Sequence, residues 1–192
     1  PAIEGLDSKI PESELIASAR DGDEDAFVEL AQRYHARVWT TASRFARNRA
    51  ELEDLVQDLF VKIWKGLPTF RNKSPFEHWL MRVTVRGCYD FLRKNRKRRE
   101  SEVLTAEIFE TISLIEAEND LLRQREASEI VGLLLEGLDP KDRTVITLLD
   151  LEEKSVRETA ELTGWTESNV KVRAFRARKK MKLIFEKLGL ER

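Results

Sequence analysis

The side chains best equipped for chemistry in this 192-residue chain are cations, gathered in two places. Residues 82–99 hold eight of them (Arg82, Arg86, Arg93, Lys94, Arg96, Lys97, Arg98 and Arg99) against Asp90 alone. Residues 165–182 hold seven (Lys171, Arg173, Arg176, Arg178, Lys179, Lys180 and Lys182) against Glu167 alone. Between them, residues 101–120 carry six acids and no base, so a formal net charge of −1 conceals strong segregation. Two separated basic blocks are what a polyanion gripped at two points requires: cations neutralise phosphates, and arginine forks can read base edges.

Other chemistry is poorly supplied. His35 and His78 lack metal-ligand companions at useful spacing, and neither a glycine-rich phosphate loop nor H-E-x-x-H occurs. The carboxylates are plentiful but scattered, so no acid–base pair stands out. Cys88 is the single cysteine, which excludes an internal disulfide, and its position between Gly87 and Tyr89 suits packing. No enzyme, metal or cofactor is expected. With no signal peptide and no membrane-length apolar run, the expectation is a cytoplasmic protein without membrane insertion.

The elements that must position the cations are helices. Eight glycines and five prolines leave few turns. Phe27, Leu30, Tyr34, Val38, Ala42 and Phe45 recur at helical intervals after Asp21-Gly22-Asp23, a stop followed by an N-cap. Leu52, Leu55, Val56, Leu59, Phe60 and Ile63 predict a helix over 51–65, broken at Gly66-Leu67-Pro68. Another begins near Pro75 and runs into the first basic block. Periodicity returns at Leu121, and Asp139-Pro140 reads as an N-cap with proline at the first helical position. The expected fold is all-α: a helical domain at 8–99, an acidic linker at 100–120, and a second helical domain at 121–192.

In the second domain, Ser155-Val-Arg-Glu158 has capping-box spacing, and Val156, Ala160 and Leu162 give the short helix its apolar face. Gly164 ends it and Thr166 can cap the next. A helix, a tight turn holding glycine and a basic second helix make a helix-turn-helix. On the second helix Val170, Ala174, Ala177, Met181, Ile184, Phe185 and Leu188 share a buried stripe. Ser168, Val172, Phe175, Arg176 and Lys179 fall opposite. There Phe175 and Val172 can touch thymine methyls while Arg176 reads guanine, and Lys171, Arg173 and Arg178 flank them for phosphates.

In the first domain, the outward face of the 51–65 helix presents Asp54, Gln57, Asp58, Val61 and Lys65, an acidic patch around a valine that suits a protein contact. The loop Phe70-Arg71-Asn72-Lys73-Ser74-Pro75 follows. Beyond it Phe76, Trp79, Leu80 and Val83 share one face, with Phe76 and Trp79 expected in the core. Arg82, Arg86, Tyr89, Arg93 and Lys97 line the neighbouring stripe. Cations interleaved with an aromatic suit opened or single-stranded DNA, and a loop that pockets an extruded base fits the same logic.

These residues carry a family likeness. Asp54-Leu-Val-Gln-Asp-Leu-Phe-Val-Lys-Ile-Trp64, Phe70-Arg71, Trp79-Leu80-Met81-Arg82-Val83 and Asp90-Phe-Leu-Arg93 resemble regions 2.2 to 2.4 of the extracytoplasmic-function (group 4) sigma factors of the sigma-70 family. Ser155 through Arg178 resembles their region 4.2, so the likeness spans about 13–99 and 121–188. The resemblance implies an alternative sigma factor with region 2 at 8–99 and region 4 at 121–192. It implies that Asp54, Gln57, Asp58, Val61 and Lys62 meet core RNA polymerase. It implies that Arg71, Asn72, Lys73, Arg82, Arg86, Tyr89, Arg93 and Lys97 meet the −10 element of promoter DNA. Ser168, Lys171, Val172, Arg173, Phe175, Arg176, Arg178 and Lys179 would meet the −35 element. An anti-sigma factor is the implied regulatory partner, and the acidic linker would thread toward the RNA exit channel. Two positions depart from the family pattern. Arg86 stands where asparagine is common, so no −10 preference is carried over, and Asn72 stands where glycine is common, which bears on the loop's shape. The alternative is a two-domain helix-turn-helix regulator that does not load onto polymerase; the 51–65 face and the second basic helix argue against it.

Overall fold

The computed structural model describes residues 10–99 and 130–187, and among these there are helices and no strand. The first run holds α1 (Glu12–Arg20), α2 (Glu24–Ser43), α3 (Arg49–Gly66), a 3₁₀ turn at Leu67–Thr69 and α4 (Phe76–Arg99). The second holds α5 (residues 130–136), α6 (Pro140–Ile146), a π-helical turn at Thr147–Leu151, α7 (Val156–Thr163) and α8 (Glu167–Lys187). The acidic linker 100–120, the expected start of periodicity at Leu121, and Leu188 lie outside the described residues. Among the described residues no helix is long and apolar enough to cross a membrane, and no group of three or more His, Cys, Asp or Glu could hold a metal ion.

The helix starts follow their capping chemistry. Asp23 accepts hydrogen bonds from the Asp25 and Ala26 amides at 3.0 and 3.1 Å, and Asp139 accepts from Lys141 and Asp142 at 2.9 and 3.1 Å with Pro140 first in α6. Each satisfies amides that have no partner inside the helix. Asn48 accepts from the Glu51 amide at 2.9 Å, so α3 starts at Arg49, two residues before the expected 51. α1 was not expected at all. It buries Leu15, Ile16 and Ala19 and is tied to α2, where Arg33 donates to the Ile10 carbonyl at 2.8 Å and the Tyr34 hydroxyl donates to Glu12 at 2.6 Å.

The N-terminal helices enclose one apolar core. Leu30, Val38 and Ala42 of α2, Leu55, Leu59 and Ile63 of α3, and Leu80, Val85, Cys88 and Leu92 of α4 are buried in it. Gly87 permits the close approach of α3 and α4: a Cβ there would lie 2.3 Å from Leu59 Cδ2. Burial pushes the Cys88 thiol well above the ordinary range, which keeps it protonated and unreactive. Phe76 is core as expected, and Trp79, half-buried, stacks on it with ring centroids 5.6 Å apart.

The second run has smaller cores, one built on Leu135, Leu138, Ile146 and Ala177 and another on Val145, Ala160, Val170 and Ala174. Two of its leucines do something else. Leu148 and Leu162 are buried with the N-terminal core, so the helix-turn-helix unit packs on the first unit through α4, α6 and α7. Polar contacts line the same seam. Arg143, 5% exposed, donates to the carbonyls of Phe45 and Arg44 at 3.2 and 3.4 Å, satisfying the C-terminal end of α2. Ion pairs join Arg47 to Glu136 at 2.7 Å and Arg44 to Glu152 at 3.8 Å.

Candidate nucleic-acid interface

The helix-turn-helix is assembled by local chemistry. The Ser155 hydroxyl accepts from the Glu158 amide at 3.1 Å while the Glu158 carboxylate accepts from the Ser155 amide at 2.8 Å, closing the expected capping box. Hydrogen bonding to the Ser155 side chain first, and to its backbone amide second, holds the Glu158 carboxyl below the usual carboxylate range. Gly164 ends α7 at φ +79°, a left-handed conformation open to glycine at little cost. Thr166 then accepts from the Asn169 amide at 3.2 Å and starts α8.

α8 sorts its side chains by face as the 3.6-residue period demands. Val170, Ala174 and Ala177 are buried, and Met181, Ile184 and Phe185 are half-buried beyond them. Opposite, Phe175 is 71% exposed and Val172 50% exposed, with Ser168, Lys171, Arg176 and Lys179 beside them. An exposed phenylalanine amid cations suits a ligand with apolar methyls and anionic edges, which describes a DNA major groove. Arg173 and Arg178, expected on phosphates, are otherwise engaged. Arg173 donates to Asp142 at 2.8 Å and to Asn169 at 2.9 Å, while Arg178 makes two bonds to Asp150 at 2.6 and 3.2 Å. The bonds to Asp150 push the Arg178 guanidinium further up in pKa. Both arginines therefore brace α8 against α6 and the π-helical turn in this arrangement.

The second basic surface is built by α4 and the loop before it. Arg71, Asn72 and Lys73 are exposed on that loop. Asn72 adopts φ +54°, the left-handed region that glycine enters freely and asparagine tolerates. Beside it lies a cavity of about 250 Å³ lined by Ile16, Phe70 and Phe76 below and by Glu12, Ser13, Asn72 and Ser74 around the rim. Its apolar floor and polar rim match the two demands of an extruded base. Three of its lining residues come from α1, and the only sequence signal for them was the short apolar pair Leu15-Ile16.

Along α4, Arg86 and Arg93 are exposed and Arg82 and Tyr89 half-buried; the side chain of Lys97 lies outside the described residues. Arg93 sits 3.8 Å from Asp90, a loose exposed pair. Arg86 and Tyr89 face the other unit. A Cβ on Gly164 would lie 2.5 Å from an Arg86 guanidinium nitrogen, and Tyr89 meets Trp165 edge-to-face at 5.6 Å. The turn of the helix-turn-helix thus rests on the middle of the α4 stripe, a contact with no periodic signature.

A third surface is acidic. Asp54, Gln57, Asp58, Val61 and Lys65 are exposed on the outward face of α3, with Val61 at 44%. Lys62 is exposed as well but leans toward α4, 3.5 Å from Asp90.

Comparison with known proteins agrees on both units. Residues 30–98 match the Sigma-70 region 2 family and residues 128–181 the Sigma-70, region 4 family. The ECF RNA polymerase sigma-E factor of Escherichia coli (strain K12) is 30% identical over 179 residues, covering 90% of this chain and 93% of that protein. Its counterpart in Haemophilus influenzae is 28% identical over 176 residues, covering 88% and 93%. Among solved structures, CnrH in complex with the cytosolic domain of CnrY aligns with TM-score 0.57 and 27% identity, over 91% of this chain and 97% of that one. The sigma factor RpoE from Bartonella quintana, in complex with the anti-sigma factor NepR, shares the fold at TM-score 0.53 and 22% identity, over 86% and 98%. With both regions matched in order and nearly the full length of its relatives spanned, this chain belongs to the ECF branch of the sigma-70 family.

Proposed function

We propose that this chain is an alternative sigma factor that binds core RNA polymerase in the cytoplasm and directs it to a set of promoters. It is a DNA-binding initiation factor and not an enzyme. In this reading the exposed α3 face (Asp54, Gln57, Asp58, Val61 and the adjacent Lys62) docks on polymerase. The loop at Arg71, Asn72 and Lys73, its cavity, and the α4 stripe (Arg82, Arg86, Tyr89, Arg93 and Lys97) receive the opened −10 strand. Ser168, Lys171, Val172, Phe175, Arg176 and Lys179 of α8 read the −35 duplex, with Arg173 and Arg178 bracing the helix. Region 2 occupies 8–99 and region 4 occupies 121–192, joined by the 100–120 linker. An anti-sigma factor completes the reading, since RpoE, which shares this fold, is found with one.

The observation that carries the proposal is the exposed Val61 amid acids on α3. Acidic groups repel DNA, and a regulator acting on DNA alone has no use for such a face. Asp54→Arg combined with Asp58→Arg should abolish retention on immobilised core polymerase while changing stability by no more than about 0.5 kcal/mol, because both sites are exposed. Retention at the wild-type level by the double variant contradicts the assignment.

A further inference from the structure

A cleft of about 370 Å³ lies outside the polymerase and DNA surfaces, between α2, the first turns of α4, and α7. Thr41, Met81 and Leu162 line it from these three helices, and each is buried. Small-molecule sites of this size combine an apolar lining with a few placed polar groups. The floor supplies the first requirement, and the rim supplies charges.

Most of those charges already have partners. Glu77 pairs with Arg37, Glu152 lies 3.8 Å from Arg44, and His78 lies 3.5 Å from Glu161. Lys154 differs. It is half-buried on the cleft wall, and among the described residues its ammonium makes no hydrogen bond or ion pair. Glu158, whose carboxylate feels this charge, already accepts from the Ser155 amide at 2.8 Å.

A half-buried ammonium without a partner is costly, and a carboxylate arriving at it gains a charge-assisted hydrogen bond. Burial against Met81 and Leu162 favours an apolar body attached to that carboxylate. An amine would meet Lys154 with like charge, and an alcohol would forgo the ion pair. We propose that this cleft binds a small amphipathic carboxylic acid, with its carboxylate on Lys154 and its hydrocarbon body against Met81 and Leu162. Such a ligand touches α2, α4 and α7 at once, so its binding is linked to the packing of the two units. The site is independent of the promoter-reading roles, because no residue of either DNA set lines the cleft.

Two methionines make the test selective. Met81 lies on the floor of the cleft, whereas Met181 packs on the separate core of Leu135 and Ala177. The full-length chain, labelled at its methionine methyls, is followed by NMR during titration with hexanoate, 1-hexanol and hexylamine. Met181→Leu assigns the two signals. Hexanoate should shift the Met81 methyl saturably and leave Met181 in place. It should bind about tenfold or more tightly than hexanol, the range for one charge-assisted hydrogen bond, and hexylamine should bind no better than hexanol. Lys154→Gln should bring hexanoate down to the level of hexanol without changing hexanol itself, and Lys154→Arg should keep the preference for the acid.

The absence of a saturable shift at Met81, or parallel shifts at both methionines, overturns the site. Equal affinities for acid and alcohol, a preference for the amine, or a preference for the acid that survives Lys154→Gln overturns the placing of a carboxylate on Lys154.

Discussion

Arg143 of α6 donates a hydrogen bond to the carbonyl of Phe45, just past the end of α2, at 3.2 Å across a separation of 98 residues. The two units are therefore joined by a buried charge on a helix end, where a cation is favoured by carbonyls that have no partner within the helix. Arg143→Leu should destabilise the chain by about 2 kcal/mol, the range for a lost charge-assisted hydrogen bond with buried acceptors left behind. Urea denaturation followed by circular dichroism measures it, and an unchanged midpoint would show that water satisfies those carbonyls equally well.

The loop that precedes α4 turns on a single backbone conformation. Because Asn72 sits at φ +54°, Asn72→Gly should leave stability within a few tenths of a kcal/mol and preserve promoter opening. Asn72→Val forces a β-branched residue into the left-handed region and should cost about 1–2 kcal/mol. Opening by the valine variant should fall with the loop's geometry. Equal stability of the two variants would mean that the loop relaxes out of this conformation.

The capping box gives a pH signature. Ser155→Ala removes the N-cap hydroxyl and should cost about 1 kcal/mol at neutral pH. The Glu158 carboxyl is depressed in the folded chain, so its contribution is fully present above the unfolded glutamate value of about 4.3. That contribution is lost as pH falls through the lower folded value. The stability gap between wild type and Glu158→Gln should therefore narrow with acid over that window. Thermal melts across the window decide it, and a gap that widens has the wrong sign.

Side chains on α8 divide into readers and braces, and the division is measurable. Arg176→Ala should cost about 1–3 kcal/mol of binding at −35 sequences carrying guanine, and Phe175→Ala should relax selectivity at a neighbouring thymine. Arg173→Ala should instead act mainly on stability, because its partner Asp142 is buried and would lose its cation. Holoenzyme competition assays on a promoter library and melts of the free chain separate the two. A stable Arg173 variant with altered base selectivity would reverse their roles.

Much of this was legible locally. Asp23, Asp139-Pro140, Ser155 with Glu158, and Gly164 each announce a helix end through chemistry confined to a few neighbouring residues, and each end lies where that chemistry puts it. The outward set on α8 and the acidic face of α3 followed from helical period alone. What escaped depends on distant partners. α1 has a short apolar face and no side-chain cap, so its sequence carries little periodic signal. Leu162 reads as the local face of α7, and nothing near it says that its core belongs to the other unit. Arg143 and Trp165 look like surface residues of a helix and a turn until the seam is built. Arg173 and Arg178 share the composition of phosphate contacts, and only the placement of Asp142 and Asp150 shows their bracing role.

On this reading the chain opens promoters only with polymerase. A permanganate footprint of a promoter selected from a library, run beside a gel shift with and without core RNA polymerase, tests it most directly. Free protein should bind the duplex weakly and leave thymines unreactive, because a lone helix-turn-helix offers one groove contact. Holoenzyme should bind tightly and expose thymines of the −10 element, since polymerase holds both DNA contacts at a fixed separation and raises the effective concentration of the second. Tight sequence-specific binding by the isolated chain, unaffected by core and without reactive thymines, would contradict the account and favour a regulator that never loads onto polymerase.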